Sequence, residues 1–390
     1  MGLFGKKYRV DDVNVRAFLA LTAAGLLGSS RFWKGLQREE VDWEAVYQIA
    51  QEQKLVGLMA SAFDGCEDNG LGFEIQDVFD RQQSKAFAKK VYSIEQFNLK
   101  MNKFISLVIG KLESEGLHPV LLKGQGIAQA YRFSLRRNCG DVDLLIAAGE
   151  FEAARKILVP RAARVIGDNS KDPHVAMFLS RFILELHGSL HVFLTKRQDA
   201  MLDDMMERMF SDGDFRVWDN DGTAVNLPSV NVDAVYVFCH ILQHLFREGV
   251  GLRQVCDLCR LLYFYRDEID RDLLQSRILE MKLQTEWKAF ATLMVDWLGM
   301  PVECIPMYDA SKKYSRKARR IVSYMLSSGN MGKNRDVSYK KKYPYLIKKL
   351  ISMRLIFGRA VRLGRIFPRS VLKVSVKGLT AGVGDLAEGR

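Results

Sequence analysis

Apolar positions recur at helical spacing over most of the chain and give way to short continuous runs only in its middle. Residues 12 to about 110 carry the helical period. Asp42 is placed to cap a helix whose apolar positions Trp43, Val46, Tyr47 and Ala50 repeat at three and four. Gln83 to Leu112 predicts a long amphipathic helix with Phe97, Met101, Phe104, Ile105 and Val108 on one side. The period changes at His118. Pro119-Val120-Leu121-Leu122 reads as a buried strand, Gly124 to Phe133 as a helix, and Asp141 to Ile146 as a second strand. Phe151 to Leu158 predicts a helix stopped by Pro160, and His174–Leu179 with Phe182–His187 predicts a hairpin around Ser180-Arg181. Helical spacing returns after Asn231, over Ala234–Phe246, Leu252–Tyr265, Leu273–Lys282 and Trp287–Leu298. The pattern predicts an α/β (α+β) core with a mixed sheet, flanked by N-terminal and C-terminal helical regions. Its parts are a helical region over 1–114, the core over 115–228, a helical domain over 229–328 and a basic tail over 329–390, entered through a linker at 329–344.

Composition narrows the class. At 390 residues, with 48% apolar and 27% charged residues, the chain has ordinary globular proportions, which excludes bulk disorder. The net charge of +12 is unevenly spread: residues 311–377 hold 20 lysines and arginines against one acid, Asp336. The remainder is mildly acidic, so the tail calls for an anionic partner. Six scattered cysteines are too few for a disulfide framework and fit a reducing cytoplasm. No apolar run reaches the roughly 18–20 residues of a spanning helix. Ala17 to Gly28 has the length of a signal-peptide core, but Asp11, Asp12 and Arg16 flank it, and Phe18, Leu19, Leu26 and Phe32 suit a helix packed on the body.

The chemistry concentrates between residues 121 and 187. Asp141 and Asp143, at i and i+2 on a strand, point to one face of a sheet. Like charges held that close call for a counter-charge, and a divalent cation supplies one. Glu185, inside the apolar run Phe182-Ile183-Leu184-Glu185-Leu186, is a third acid that needs a partner, a metal or an edge position open to water. His187 shares its face. The Lys123-Gly124 turn lies between a strand and a helix, where backbone N–H groups can face phosphates; Gly124 permits close approach, and Lys123, Arg136 or Arg137 adds charge. An Asp-x-Asp is by itself most often a solvated strand end, and the ordered set carries more weight than any member. His240 with His244 and Cys256 with Cys259 stand at helical spacing, a conceivable zinc set whose spacing matches no familiar finger.

Leu121-Leu122-Lys123-Gly124, Tyr131, Arg136, Gly140-Asp141-Val142-Asp143-Leu144-Leu145-Ile146 and Glu185-Leu186-His187 together resemble the polymerase-β-like nucleotidyltransferase superfamily, in particular its bacterial "uncharacterised nucleotidyltransferase" branch. The Asp42-Trp43 helix start, and His244, Arg253 and Asp257, extend the resemblance in outline over residues 15 to 300. It implies that Asp141 and Asp143 bind two Mg²⁺ ions, that Glu185 completes the catalytic and metal-binding acids, and that Lys123, Gly124, Arg136, His187 and His244 meet the nucleotide. There are three departures. Gly124 is followed by Gln125 instead of Gly or Ser, the gap from Gly124 to Asp141 is long, and Gly188 follows Glu-Leu-His where the branch often has an aromatic residue.

The resulting expectation is a cytoplasmic, Mg²⁺-dependent transferase that passes NMP from an NTP, ATP first among them, to a hydroxyl or phosphate acceptor on a small molecule, glycan or protein. The resemblance links such proteins to surface-polysaccharide or peptide-modifying pathways. Residues 345–367 set Leu346, Leu350, Ile351, Met353, Phe357, Ala360 and Val361 among Lys348, Lys349, Arg354, Arg359, Arg362 and Arg365. That is the pattern of a peripheral helix at an anionic membrane, here the inner face. Packing of its apolar side on the body is an equal alternative. Nucleic-acid binding is less favoured, because few aromatics interleave with the charges. The competing functions are a nucleic-acid-binding or polynucleotide-directed transferase and a catalytically silent scaffold at the membrane.

Overall fold

Seven strands in the order β3-β4-β5-β2-β1-β7-β6 form one mixed sheet, and helices cover both its faces. The computed structural model describes residues 8–64, 71–169, 173–332, 334 and 344–373, so most of the predicted linker and the stretch 374–390 lie outside the described residues. The strands are β1 Val120–Leu122, β2 Asp141–Leu145, β3 Arg164–Asn169, β4 His174–Leu179, β5 Phe182–His187, β6 Phe215–Asn220 and β7 Thr223–Pro228. Helices α1 (Val13–Leu27), α2 (Trp43–Gln53), α3 (Val56–Asp64) and α4 (Arg81–Glu113) precede the sheet. Within it lie α5 (Gly124–Ala128), α6 (Phe151–Leu158) and α7 (Lys196–Asp212). After it come α8 (Val230–Arg247), α9 (Leu252–Phe264), α10 (Arg271–Glu280), α11 (Gln284–Leu298), α12 (Lys312–Ser328) and α13 (Tyr345–Gly364).

Local chemistry explains most boundaries. Asp42 caps α2 by accepting from the Ala45 N–H. Asp80 caps α4 in a reciprocal box with Gln83, which starts that helix two residues before the predicted Gln83. Ser180, with φ 57°, turns the β4–β5 hairpin where the sequence places it. The helix predicted over Gly124–Phe133 stops at Ala128 and continues as turns, the chain being drawn away to present Arg136 and Arg137 to α3, α4 and α9.

Alternation along the strands sorts the two faces. Leu121, Val142, Leu144, Val175, Met177, Phe182, Leu184 and Leu186 point to one side and pack on Met101, Phe104, Ile105 and Val108 of α4, with the Phe104 and Phe182 rings 4.9 Å apart. The other side carries Val120, Leu122 and Leu145 toward the helical body. Helices from before and after the sheet share that second core. Helix α1, apolar almost all round, is buried at its centre, and Gln53 of α2 donates to the Met325 carbonyl of α12 and accepts from the Leu252 N–H of α9.

Candidate active site

Residues of opposite parity to the α4-facing core project from the sheet toward α8. Parallel pairing of β2 with β5 sets Asp143 beside Glu185 and Leu145 beside His187. Antiparallel pairing of β4 with β5 sets His174 opposite His187. Asp141, Asp143, Glu185, His187 and His174 therefore occupy one face because a strand's side-chain period is two.

Asp143 is the hub. Its Oδ1 accepts from Lys123 Nζ at 3.1 Å and from His187 Nε2 at 3.0 Å, and the residue is only 5% exposed. Burial disfavours its charge, but Lys123 and then the His187 hydrogen bond outweigh burial and hold the carboxyl well below the usual range. Burial likewise opposes the Lys123 ammonium, yet Asp143 foremost, with Tyr236, Glu185 and Asp141, keeps that amine above its ordinary value. Lys123 is delivered by a left-handed backbone (φ 48°) at the end of β1, next to Gly124 (φ 44°). That conformation is unfavourable for a lysine and is held by the strand–helix turn. A side chain at 124 would add left-handed strain, 3.5 Å from Cys139 Sγ and 3.7 Å from the Asp141 carbonyl.

From α8, His240 receives Lys123 Nζ at 3.3 Å on Nε2, the same nitrogen that His244 Nε2 approaches at 2.9 Å, and its Nδ1 lies 3.1 Å from Gln243 Oε1. Proton placement follows: His240 carries its hydrogen on Nδ1 and accepts on Nε2. Burial, then the Lys123 charge and His244, push its pKa well below that of a free histidine, in agreement with a neutral ring. Tyr236 lies under the Lys123 ammonium, 5.6 Å from ring centroid to Nζ, its hydroxyl pushed up to about 12 by burial.

Glu185 stands 3.4 Å from His174 Nε2 and 3.7 Å from His187 Nε2, with 30% of its side chain exposed. Asp141 is half-buried. Burial pushes its carboxyl up and Asp143 adds to that rise, against Lys123 and Arg253. Burial and the neighbouring Asp143 both disfavour the charge on Asp141, and a divalent cation would offset that cost. Among the described residues the donor atoms that already stand close enough to share an ion are those of His174, Glu185 and His187, without the two aspartates.

The loop that carries Asp141 is clamped from both sides. Asn98 of α4 donates to the Leu135 and Arg137 carbonyls at 2.6 and 2.8 Å. Arg253 of α9 donates to the Asn138 carbonyl at 2.5 Å. Arg137 makes two bonds to Asp257 of α9, at 3.0 and 2.7 Å, and Tyr131 donates to the same carboxylate at 2.8 Å. Arg136 is turned elsewhere, held by Glu95 at 2.8 Å and by Asp64. Of the predicted site residues, Lys123, Asp143, Glu185 and His187 meet directly, Asp141 flanks them on the same strand face, His244 reaches them through His240, Gly124 sits in the turn beside Lys123, and Arg136 pairs with the acids of α3 and α4. His174 and Tyr236 were absent from the predicted set, Arg137 entered only as an alternative charge at the turn, and His240 only as part of a conceivable zinc set. The same-face parity of His174 in the hairpin was the one available signal for it. Cys256 and Cys259 are buried, and among the described residues they join no group able to hold a metal.

An open cleft of about 570 Å³ lies away from these acids, lined by Arg16, Arg31, Trp297, Lys312 and Arg316 among others. It borders none of the residues above, so chemistry and concavity point to different places, and the charge arrangement is the better guide to the site.

The model of one protein family, described as uncharacterised nucleotidyltransferase, matches residues 39–299. The chain belongs to this family. The match takes in α2, the whole sheet and helices α8 to α11, and with them every residue of the acid cluster and its clamps. No curated protein and no solved structure matches the chain. The protein is therefore an enzyme of the nucleotidyltransferase type acting on a nucleotide substrate, built on a mixed sheet with helical regions on either side.

Proposed function

We propose that this nucleotidyltransferase moves NMP from ATP to a hydroxyl or phosphate acceptor in a Mg²⁺-dependent reaction, using Asp141, Asp143 and Glu185. The carrying observation is the in-register placement of Asp143 beside Glu185 on parallel strands, with Asp141 on the same face. Magnesium bound by these acids would neutralise the triphosphate and polarise the α-phosphoryl group. The acceptor oxygen forms the new bond to the α-phosphorus as the bond to the bridging oxygen breaks, and pyrophosphate departs with its electron pair. Glu185, with 30% of its side chain exposed, is the third of these metal-binding acids, and the proton of a hydroxyl acceptor would pass to solvent. Lys123 contributes a fixed positive charge beside Asp143, suited to steadying phosphate oxygens without itself titrating near neutrality. The α5 turn following it has no side-chain cap at Lys123. Calorimetric titration with ATP, with and without Mg²⁺, tests this. Binding should require the metal and be lost in Asp141→Asn with Asp143→Asn. Metal-independent binding, or binding that survives both changes, would refute it.

The enzyme's place of work is proposed from α13. Leu350, Met353, Ile356 and Phe357 are 66, 57, 56 and 71% exposed on that helix, among Lys348, Lys349, Arg354 and Arg359. The end of the helix is anchored: Leu363, Ile366 and Phe367 are buried, Phe367 meets Phe246 of α8, and Lys317 and Arg320 of α12 donate to the Ile366 and Arg365 carbonyls. An apolar stripe left uncovered by the body and bordered by cations suits an anionic lipid surface. Among the described residues no helix is long and apolar enough to cross a membrane, so attachment would be peripheral.

A further inference from the structure

His174 stands outside the three acids, yet its imidazole is directed at one of them. Its Nε2 is 3.4 Å from Glu185 Oε2, and His187 Nε2 is 3.7 Å from the same oxygen. One donor atom from each of the three residues falls within 4.8 Å of the others, and the rings of His174 and His187 are 4.8 Å apart, centroid to centroid. We infer that His174, Glu185 and His187 form a three-ligand divalent-cation site that takes a borderline ion, Mn²⁺, Co²⁺ or Zn²⁺, in preference to Mg²⁺.

Spacing and donor type both favour that choice. A tetrahedral ion with bonds of about 2.0–2.2 Å holds its ligand atoms roughly 3.3–3.6 Å apart. Adjacent oxygens around octahedral Mg²⁺ are nearer about 2.9 Å. The two separations from Glu185 lie close to the first figure, the one for a Zn²⁺ or Co²⁺ ion. Two of the three donors are imidazole nitrogens, which raise affinity in the order Mn²⁺ to Co²⁺ to Zn²⁺ and offer Mg²⁺ little. The ligands stand on paired strands, and the Gly188 N–H donates to the Pro173 carbonyl at 2.7 Å, fixing the end of the hairpin that carries both histidines. Gly188 also explains one departure from the branch: a Cβ there would lie 2.7 Å from Pro173 and 2.9 Å from the Phe151 ring. His187 Nε2 now donates to Asp143. A cation bound at the ring would take the place of that proton, which leaves to solvent. The side chains of His174 and Glu185 are about one-third exposed, so an ion can enter and keep positions open for substrate oxygens.

This deepens the proposed use of Glu185 and rests on it, but it can be tested without turnover. Apo protein is titrated with Co²⁺ in the absence of nucleotide, followed by visible absorption and calorimetry. One Co²⁺ per chain should bind with the intensified bands of a low-coordinate site and resist displacement by a large excess of Mg²⁺. His174→Ala should weaken Co²⁺ by more than about tenfold, since losing even an outer-shell partner of a metal ligand costs roughly 10–100-fold. The Glu185→Gln variant serves the same purpose should His174→Ala fail to keep its melting profile. Failure to bind, displacement by equimolar Mg²⁺, or unchanged affinity in both variants would overturn the inference. Mg²⁺-dependent ATP binding is measured in parallel. Its survival alongside a failed cobalt titration would sink only the nitrogen-rich site, whereas cobalt binding without ATP binding would sink only the proposed activity.

Discussion

Replacing Asp257 with alanine should destabilise the enzyme more than any single change at the exposed acids. The Arg137 and Asp257 side chains are each only 5% exposed and are joined by two hydrogen bonds, with the Tyr131 hydroxyl as a third partner. Removing the carboxylate leaves a guanidinium in a dry site where its Nη1 already lacks a partner among the described residues, and orphans the Tyr131 hydroxyl as well. Breaking a buried pair from one side costs about 3–5 kcal/mol. Replacing both charges with apolar groups of similar volume removes the desolvation penalty together with the attraction, so Arg137→Met with Asp257→Leu should cost less than Asp257→Ala alone, the orphaned Tyr131 hydroxyl being common to both. Urea unfolding of the three proteins, followed by circular dichroism and tryptophan fluorescence, gives the midpoints for this comparison. A cost below about 1 kcal/mol for Asp257→Ala, or a double variant as costly as Asp257→Ala, would refute the view that this pair locks the Asp141 loop onto α9. A functional consequence accompanies the structural one. Arg137 is four residues from Asp141, so loosening the clamp should weaken Mg²⁺-dependent ATP binding although neither residue lies among the acids.

Tyr131 offers a pH signature for the same network. Burial, then Asp257, raise its hydroxyl well above 10.0, so its contribution is complete below pH 10.0 and is lost as pH rises past that value. Tyr131→Phe should cost about 1.5–3 kcal/mol at neutral pH, with the gap to wild type narrowing above pH 10.0 in urea midpoints measured across that range. A gap independent of pH would show that the hydroxyl does not titrate as placed. For α13, Leu350→Asp with Phe357→Asp should lower cosedimentation with vesicles of anionic lipid by at least about tenfold, each lost apolar insertion being worth roughly 1.5–3 kcal/mol. Wild-type binding should also weaken with salt. Equal binding to neutral vesicles, or no effect of the pair, would remove the membrane from the proposal.

What could be read in advance was local. The runs at Val120–Leu122 and Asp141–Leu145, the helix Phe151–Leu158 and the hairpin at Ser180 all showed themselves through apolar period and turn residues acting over a few positions. Strands β3 and β6 did not. They form the two edges of the sheet, where Val165, Ile166 and Val217 are exposed and the alternation that marks a half-buried strand is blurred. Helix α7 and strand β7 also went unread.

The acids were legible as a set because their chemistry is carried by residue type and by parity within each strand. Their neighbours were not. The choice of Arg137 over Arg136 to pair with Asp257 depends on which of two adjacent side chains faces α9 once the loop is clamped by Asn98. The position of Lys123 against both Asp143 and His240 depends on a left-handed turn at the end of β1 and on α8 crossing above it. Sequence alone thus determined the kind of elements, the family and the residue types at the centre, since periodicity and motif are properties of short stretches. Strand order and helix packing decided which charges meet, because an interaction between residues 117 positions apart, such as Lys123 with His240, leaves no trace in the local pattern of either.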